Sequence, residues 1–235
     1  MLSAVESNQT TAILKWYDRH HRILPWRITP PEHARGIKSD PYRVWLSEIM
    51  LQQTTVEAVK SYFNKFVALW PNVESMAAAS EDDILRAWAG LGYYSRARNL
   101  KKCADLIAAN YNGKFPSTAA RLKELPGIGD YTSAAIAAIA FGEPAAVVDG
   151  NVERVISRLY AIDTPLPSAK AEIRIRMGEL TPHDRPGDFA QAVMDLGATI
   201  CTPRRPACAI CPVNDECKAL AHHDPETFPV KAPKV

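Results

Sequence analysis

The stretch LPGIGDYT (Leu125–Thr132), with the alanine-rich run that follows to Phe141 and then VVDGNVERV (Val147–Val155), decides the fold. Pro126 stops an apolar, helically spaced segment that ends at Leu125. Gly127 and Gly129, one residue apart, permit a tight turn with positive φ, and a second helix is expected from Tyr131 to Phe141. Such a turn presents backbone N–H groups at the positive end of the second helix, where a phosphate is the natural ligand. A dinucleotide-binding fingerprint does not fit, because no strand precedes the glycines and the third glycine is missing. Further on, Asp149 stands just before the periodic run Val152, Val155, Ile156 and Leu159, the place of a helix N-cap. A helix N-terminus favours the charged form of a carboxylate held there.

Outward from this stretch the pattern stays helical. Towards the N-terminus, Ser95 is expected to cap a helix through Leu100, Cys103 and Ile107, preceded by the turn Gly90-Leu-Gly-Tyr-Tyr. Ser80 caps a helix bearing Ile84, Leu85 and Trp88, and Val56, Val59, Phe63, Phe66 and Val67 lie at helical spacing on another. Ile13, Leu14, Trp16 and Tyr17 make the apolar face of a first helix. Towards the C-terminus, helices are expected at roughly 168–180 and 187–200, and the tail from His222 reads as a linker. No alternating strand pattern of useful length occurs, so the class is all-α.

The segment Val44–Thr54 is apolar on nearly every helical face, yet it carries Glu48. A carboxyl group among apolar side chains loses solvation, which favours its protonated form and suits it to general-acid work. Cys201, Cys208, Cys211 and Cys217 follow the spacing C-x6-C-x2-C-x5-C and read as four thiolate ligands of one metal site. The residues alone leave zinc and a [4Fe–4S] cluster open. Cys103 stands apart as a core thiol. Gln52-Gln53, Tyr93-Tyr94 and Tyr131 are exposed-looking groups able to wedge into a base stack, although tyrosines at turns usually serve as packing residues.

The 235 residues are 47% hydrophobic and 23% charged, a globular balance that suits one or two domains. The net charge of +2 does not by itself demand a polyanion partner. Local clusters do more: Arg96, Arg98, Lys101 and Lys102 fall together, as do Arg204 and Arg205, and either cluster also suits a solvated face. The N-terminus lacks a basic-then-apolar signal pattern and no apolar run is long enough to span a bilayer, so a cytoplasmic location is expected, nucleoid-associated if the source is bacterial.

Together these features resemble the helix-hairpin-helix DNA glycosylase superfamily, and within it the adenine DNA glycosylase (MutY) family. The resemblance runs from about Trp16 to Cys217. It rests on LPWR (Leu24–Arg27), DPYRVWLSEIMLQQT (Asp40–Thr54), GLGYYSRARN (Gly90–Asn99), LPGIGDYT, VDGNVERV (Val148–Val155), MDLGATIC (Met194–Cys201) and the four-cysteine spacing.

The resemblance implies two helical domains flanking a DNA-binding cleft. One is a helical barrel with the hairpin, residues 28–140; the other joins 1–27 to 141–221 and carries a [4Fe–4S] cluster on the four cysteines; residues 222–235 form the tail. It further implies hydrolysis of the N-glycosidic bond of adenine mispaired with 8-oxoguanine or guanine in double-stranded DNA, by a monomer. Glu48 falls on the family's acid and Asp149 on the carboxylate that stabilises the sugar cation. Tyr131 and Asn151 fall on groups that support these two. Gln53 and Tyr93 fall on residues that enter the duplex. Gly127 and Gly129 fall on the phosphate-binding hairpin, Trp26 and Arg27 on the edge of the base pocket, and Arg204 and Arg205 on the cluster loop.

Two departures carry consequences. The related endonuclease III branch has a lysine where this chain has Tyr131, so simple hydrolysis without strand cleavage is expected. The family usually continues into a domain that recognises 8-oxoguanine, and this chain stops where a linker to it would begin. A thymine-mismatch glycosylase of the same superfamily and a non-catalytic DNA-binding module are the rival readings. Leu51-Gln-Gln-Thr and Gly90-Leu-Gly-Tyr-Tyr favour adenine over thymine, and the presence of both Glu48 and Asp149 favours catalysis.

Overall fold

The computed structural model describes residues 7–232. The chain divides into two compact units, one of residues 23–143 and one that joins 1–22 to 144–235. We call them the central and the terminal unit after their places in the sequence.

Helix α1 (Asn8–His20) opens the terminal unit, with the Ser7 hydroxyl accepting from the Thr10 N–H and Ile13, Leu14 and Tyr17 buried. The central unit holds α2 (Pro30–Ala34), α3 (Pro41–Leu51), α4 (Val56–Leu69), α5 (Val73–Ala78), α6 (Glu81–Trp88), α7 (Ser95–Tyr111), α8 (Ala119–Leu122) and α9 (Asp130–Phe141). The terminal unit continues with α10 (Gly150–Tyr160), α11 (Lys170–Leu180), α12 (Pro186–Thr199) and α13 (Lys218–His222), with single 3-10 turns around the cysteines. Among the described residues there is no strand; one isolated bridge pairs Leu166 with Lys231. No helix of the described residues is long and apolar enough to cross a membrane.

The boundaries follow from local chemistry. Asp40 accepts from the Tyr42 N–H, and Pro41 opens α3 where its missing N–H costs nothing. Thr55, Ser80 and Thr118 cap α4, α6 and α8 through their side chains, each worth about 1 kcal/mol. Helix α3 is the centre of its unit. Val44, Trp45, Leu46, Ile49 and Met50 are buried where α3 packs on α4, α7 and α9, each such side chain contributing roughly 1.5–3 kcal/mol.

Four sequence expectations are corrected. Ser95 is not a cap: Tyr94 occupies that position without a side-chain bond, and Ser95 is the first helical residue. Gly127 has φ +76°, and a Cβ there would also meet the Asn99 Cβ at 2.8 Å, but Gly129 is extended and caps α9 with open space around it. Arg96 does not join a solvated basic face; it is buried. The tail is not an unattached linker. Phe228 is buried, its carbonyl accepts from Arg158 Nε at 3.2 Å, and Val230 O accepts from the Leu166 N–H at 2.9 Å. Residues 233–235 of that tail, and 1–6 of the N-terminal segment, lie outside the described residues.

Candidate active site and metal centre

In the central unit, Glu48 sits on α3 and is only 6% exposed, next to buried Val44, Ile49 and Met50. Helix α9 runs against α3, and Gln52 Nε2 donates to Thr132 Oγ1 at 3.3 Å, linking the end of α3 to the start of α9. Tyr131 is the second residue of α9, half-buried. The helix that carries Glu48 is thereby tied to the turn that carries Tyr131. Around the hairpin, Gly127 makes the left-handed turn, and Lys123 pairs with Asp130 in the first turn of α9.

Gln53 follows α3 and Tyr93 precedes α7. Both are exposed, Tyr93 to 61%, and both hold left-handed backbone, φ 57° and 48°. Non-glycine residues rarely adopt this conformation, and functional sites are where it collects. Trp26 is a core residue, edge-on to Phe63 with ring centroids 5.3 Å apart, while Arg27 beside it is half-buried.

In the terminal unit, Asp149 caps α10. Its Oδ1 accepts from the N–H groups of Asn151 and Val152 at 2.9 and 2.8 Å. Its Oδ2 accepts from Asn151 Nδ2 at 3.0 Å. Asn151 is held in turn by Arg154, whose Nη2 donates to Asn151 Oδ1 at 2.9 Å and to Gly197 O at 2.6 Å, and whose Nε donates to Cys201 O at 2.7 Å. The arrangement fixes the carboxylate by charge-assisted bonds, the strong kind. Burial lowers the pKa of Arg154 from its ordinary value, though the guanidinium remains a cation at neutral pH.

Cys201, Cys208, Cys211 and Cys217 line one cavity together with Arg158. Among the described residues no three Cys, His, Asp or Glu side chains are grouped to hold a single metal ion. Four cysteines lining one cavity can supply one thiolate donor to each iron of a polynuclear cluster. The residues fit such a group. Arg158, 2% exposed, donates from Nη1 to Cys201 Sγ at 3.4 Å and to Thr202 O at 2.7 Å. Burial pushes the Cys211 thiol up to about 11, against the opposing pull of the Val213 N–H. Burial also raises Cys217, opposed by the N–H groups of Leu220 and Ala219, and raises Cys208. Bound iron reverses this balance, so loading displaces protons. Arg204 and Arg205 are exposed between the first two cysteines; Arg205 has φ 49° and its N–H donates to Glu226 Oε1 at 2.9 Å.

Three arginines and a glycine escaped the sequence reading. Arg154 and Arg158 fall on the mostly buried helix α10, and the sequence reading assigned them no role. Arg96 was concealed in a basic cluster. Gly197 lies where α12 approaches α10 so closely that a Cβ would meet the Asn151 Cβ at 2.7 Å. The one available signal was charge at helical positions otherwise occupied by apolar side chains.

Comparison with known proteins fits this geometry. Residues 201–217, which begin and end on cysteines of the cavity, match the iron-sulfur binding domain of endonuclease III, and the cofactor is a [4Fe–4S] cluster. The human adenine DNA glycosylase is 45% identical over 212 residues, covering 88% of this chain and 38% of its own length. The adenine DNA glycosylase of Buchnera aphidicola subsp. Acyrthosiphon pisum is 40% identical over 222 residues, covering 93% of this chain and 61% of its own. The chain thus spans between 38% and 61% of these curated relatives. A solved thermostable thymine-DNA glycosylase superposes with a TM-score of 0.78 at 31% identity, covering 90% of this chain and 94% of that one. With residues 46–182 matching its HhH-GPD region, the chain belongs to the HhH-GPD superfamily of base excision DNA repair proteins.

Proposed function

We propose that this chain is a monofunctional DNA glycosylase that removes adenine mispaired with 8-oxoguanine or guanine in double-stranded DNA. The observation that carries the reading is the contrast between two carboxyl groups. Glu48 is withdrawn from solvent on α3, beside buried Val44, Ile49 and Met50, whereas Asp149 is held at the start of α10 by three N–H donors. Two carboxyl groups in such different surroundings divide acid and anion roles between them.

In this mechanism the base is turned out of the duplex, because its glycosidic bond is unreachable inside the stack. Glu48 gives its proton to the adenine ring as the C1′–N9 bond breaks and the electron pair leaves with the base. Asp149 stays anionic and stabilises the positive sugar, held in place by Asn151 and Arg154. Water adds to C1′ and its proton passes to the Glu48 carboxylate left by the first step, leaving an abasic site and free adenine. Tyr131 has no amine with which to attack the sugar, so the strand stays intact. Gln53 and Tyr93 enter the duplex and occupy the space the base leaves. Gly127, Gly129, Arg204 and Arg205 serve the phosphates, which position the duplex without reading sequence. Trp26 and Arg27 border the base pocket. The [4Fe–4S] cluster, when bound to Cys201, Cys208, Cys211 and Cys217, supplies iron–thiolate bonds that tie the loop together.

Base release under single-turnover conditions tests the reading, with A opposite 8-oxoguanine, A opposite G and T opposite G as substrates. Adenine release from the first two without a nick is the expected result. The 31% identity to a thymine-DNA glycosylase makes thymine release the alternative outcome, and tight binding with no release would indicate a binding module. Iron and sulfide analysis of the purified chain accompanies the assay, and stoichiometric zinc would overturn the cofactor.

A further inference from the structure

One buried cation in the central unit joins two places that the proposed reaction uses together. Arg96 enters the core from the first turn of α7 and is 8% exposed. From Nη1 it donates to the carbonyls of Ile49, Met50 and Gln52 at 3.2, 3.0 and 2.6 Å, at the C-terminal end of α3. From Nη2 it donates to Thr54 Oγ1 at 3.2 Å and to the carbonyls of Leu91 and Gly92 at 3.0 and 3.3 Å. One guanidinium therefore holds the turn that presents Gln53, on both sides of that residue, and the turn that presents Tyr93. Its carbon also lies over the rings of Trp88 and Tyr93, 5.2 and 5.5 Å from their centroids.

The surroundings suit a fixed cation. The carbonyls at the end of α3 are the negative pole of that helix, with no helical N–H of their own to accept. Trp88 Nε1 donates to the same Gly92 carbonyl at 3.0 Å, so that turn is held twice. The desolvation that lowers the Arg96 pKa does not neutralise a guanidinium. The apices themselves are left-handed at non-glycine residues, a conformation that persists only where the neighbouring structure over-determines it. The shared fork supplies that constraint to both. A lysine could not, since a single ammonium cannot spread planar donors to two turns.

We infer that Arg96 is the positioning residue that presets Gln53 and Tyr93 as one unit, so that the two side chains enter DNA with a fixed mutual spacing. The inference rests on the proposed function for what the apices do, but not for how they are held.

Two measurements on the full, cluster-loaded chain test it. The first needs no DNA. Amide hydrogen exchange in the Arg96→Lys variant should rise at residues 51–54 and 91–94 together, with α9 unchanged. Exchange that rises at one turn alone, or everywhere, overturns the inference. The second is a double-mutant cycle of Gln53→Ala and Tyr93→Ala, read as the ratio of affinities for an A:8-oxoguanine duplex and its matched counterpart. The apices should be non-additive by about threefold or more in the Arg96 background and additive once Arg96 is Lys. Additivity with Arg96 present overturns the inference even if Arg96→Lys does not fold. A wild-type chain that shows no adenine release and no mismatch preference defeats the proposed function instead, and leaves the exchange measurement to decide how the turns are held.

Discussion

Asn151 Nδ2 donates to Asp149 Oδ2 at 3.0 Å, while the Asn151 N–H donates to the other oxygen of the same carboxylate at 2.9 Å. One residue thus fixes both oxygens, and its side chain is held by Arg154. Asn151→Ala should therefore leave the cap intact and let the carboxylate rotate. Bonds to a charged group are worth about 1.5–3 kcal/mol, so single-turnover release should fall roughly tenfold to a hundredfold with DNA binding retained. A rate within twofold of wild type would show that Asp149 needs no such restraint.

Gly197→Ala should disturb the same group from the other side. The added methyl would lie 2.7 Å from the Asn151 Cβ and 3.0 Å from its carbonyl oxygen. Both are fixed by the start of α10, so the helices must part. Overpacking of this kind costs about 1–3 kcal/mol. The expected outcome is a lower melting temperature and slower base release in the folded fraction. Unchanged values for both would mean that α12 has room to move away without disturbing Asp149.

Glu48→Gln keeps the shape of this buried residue and removes the transferable proton. Loss of a general acid costs roughly 10²–10⁴-fold, and mismatch binding should survive. Retention of more than a tenth of the single-turnover rate would exclude Glu48 as the acid.

Tyr131→Lys places an amine at the second position of α9. If that position faces the sugar, the variant should attack C1′ and form a Schiff base. Borohydride should then trap a covalent protein–DNA adduct with the variant and not with the wild type. A folded variant that binds DNA and gives no adduct would place Tyr131 away from C1′.

Cys103 is fully enclosed on α7, and burial pushes its thiol up from 9.0 to about 12. A raised acid pKa means that the folded state keeps its proton longer than the unfolded chain does. The stabilising effect is complete below pH 9.0 and is lost as pH climbs towards about 12. The slope is about 1.4 kcal/mol per pH unit for one group. Between pH 9 and 10, stability by chemical denaturation should fall more steeply for the wild type than for Cys103→Ala. Parallel slopes would contradict the burial.

Much of the helical order was legible because apolar periodicity and capping side chains act locally. Ser80 accepting from Asp83 and Asp149 accepting from Val152 are contacts three residues apart, which a pattern can encode. Glu48 was legible for the opposite reason, since it interrupts an apolar face. Arg96 was not. Its acceptors lie up to 47 residues away, and a charge inside RAR is indistinguishable by pattern from its exposed neighbour Arg98. The tail misled similarly: its proline-rich composition is that of a linker, but Arg158, 70 residues earlier, binds its backbone. Composition reports what a segment can do alone, and these contacts are made by partners distant in the sequence.

Helix α1 joins the terminal unit across the whole chain. Thr10 Oγ1 donates to Leu180 O at 2.8 Å, and the Arg22 N–H donates to Asp195 Oδ2 at 2.9 Å. These partners lie 170 and 173 residues further along the chain. At about 5–20 residues per second, the ribosome needs on the order of ten seconds or more to supply those partners. Through that interval the apolar stripe of Ile13, Leu14 and Tyr17 has no native surface to cover it. A growing chain thus passes through a stage in which this stripe is exposed, and a chaperone that engages residues 8–20 would find its binding site there.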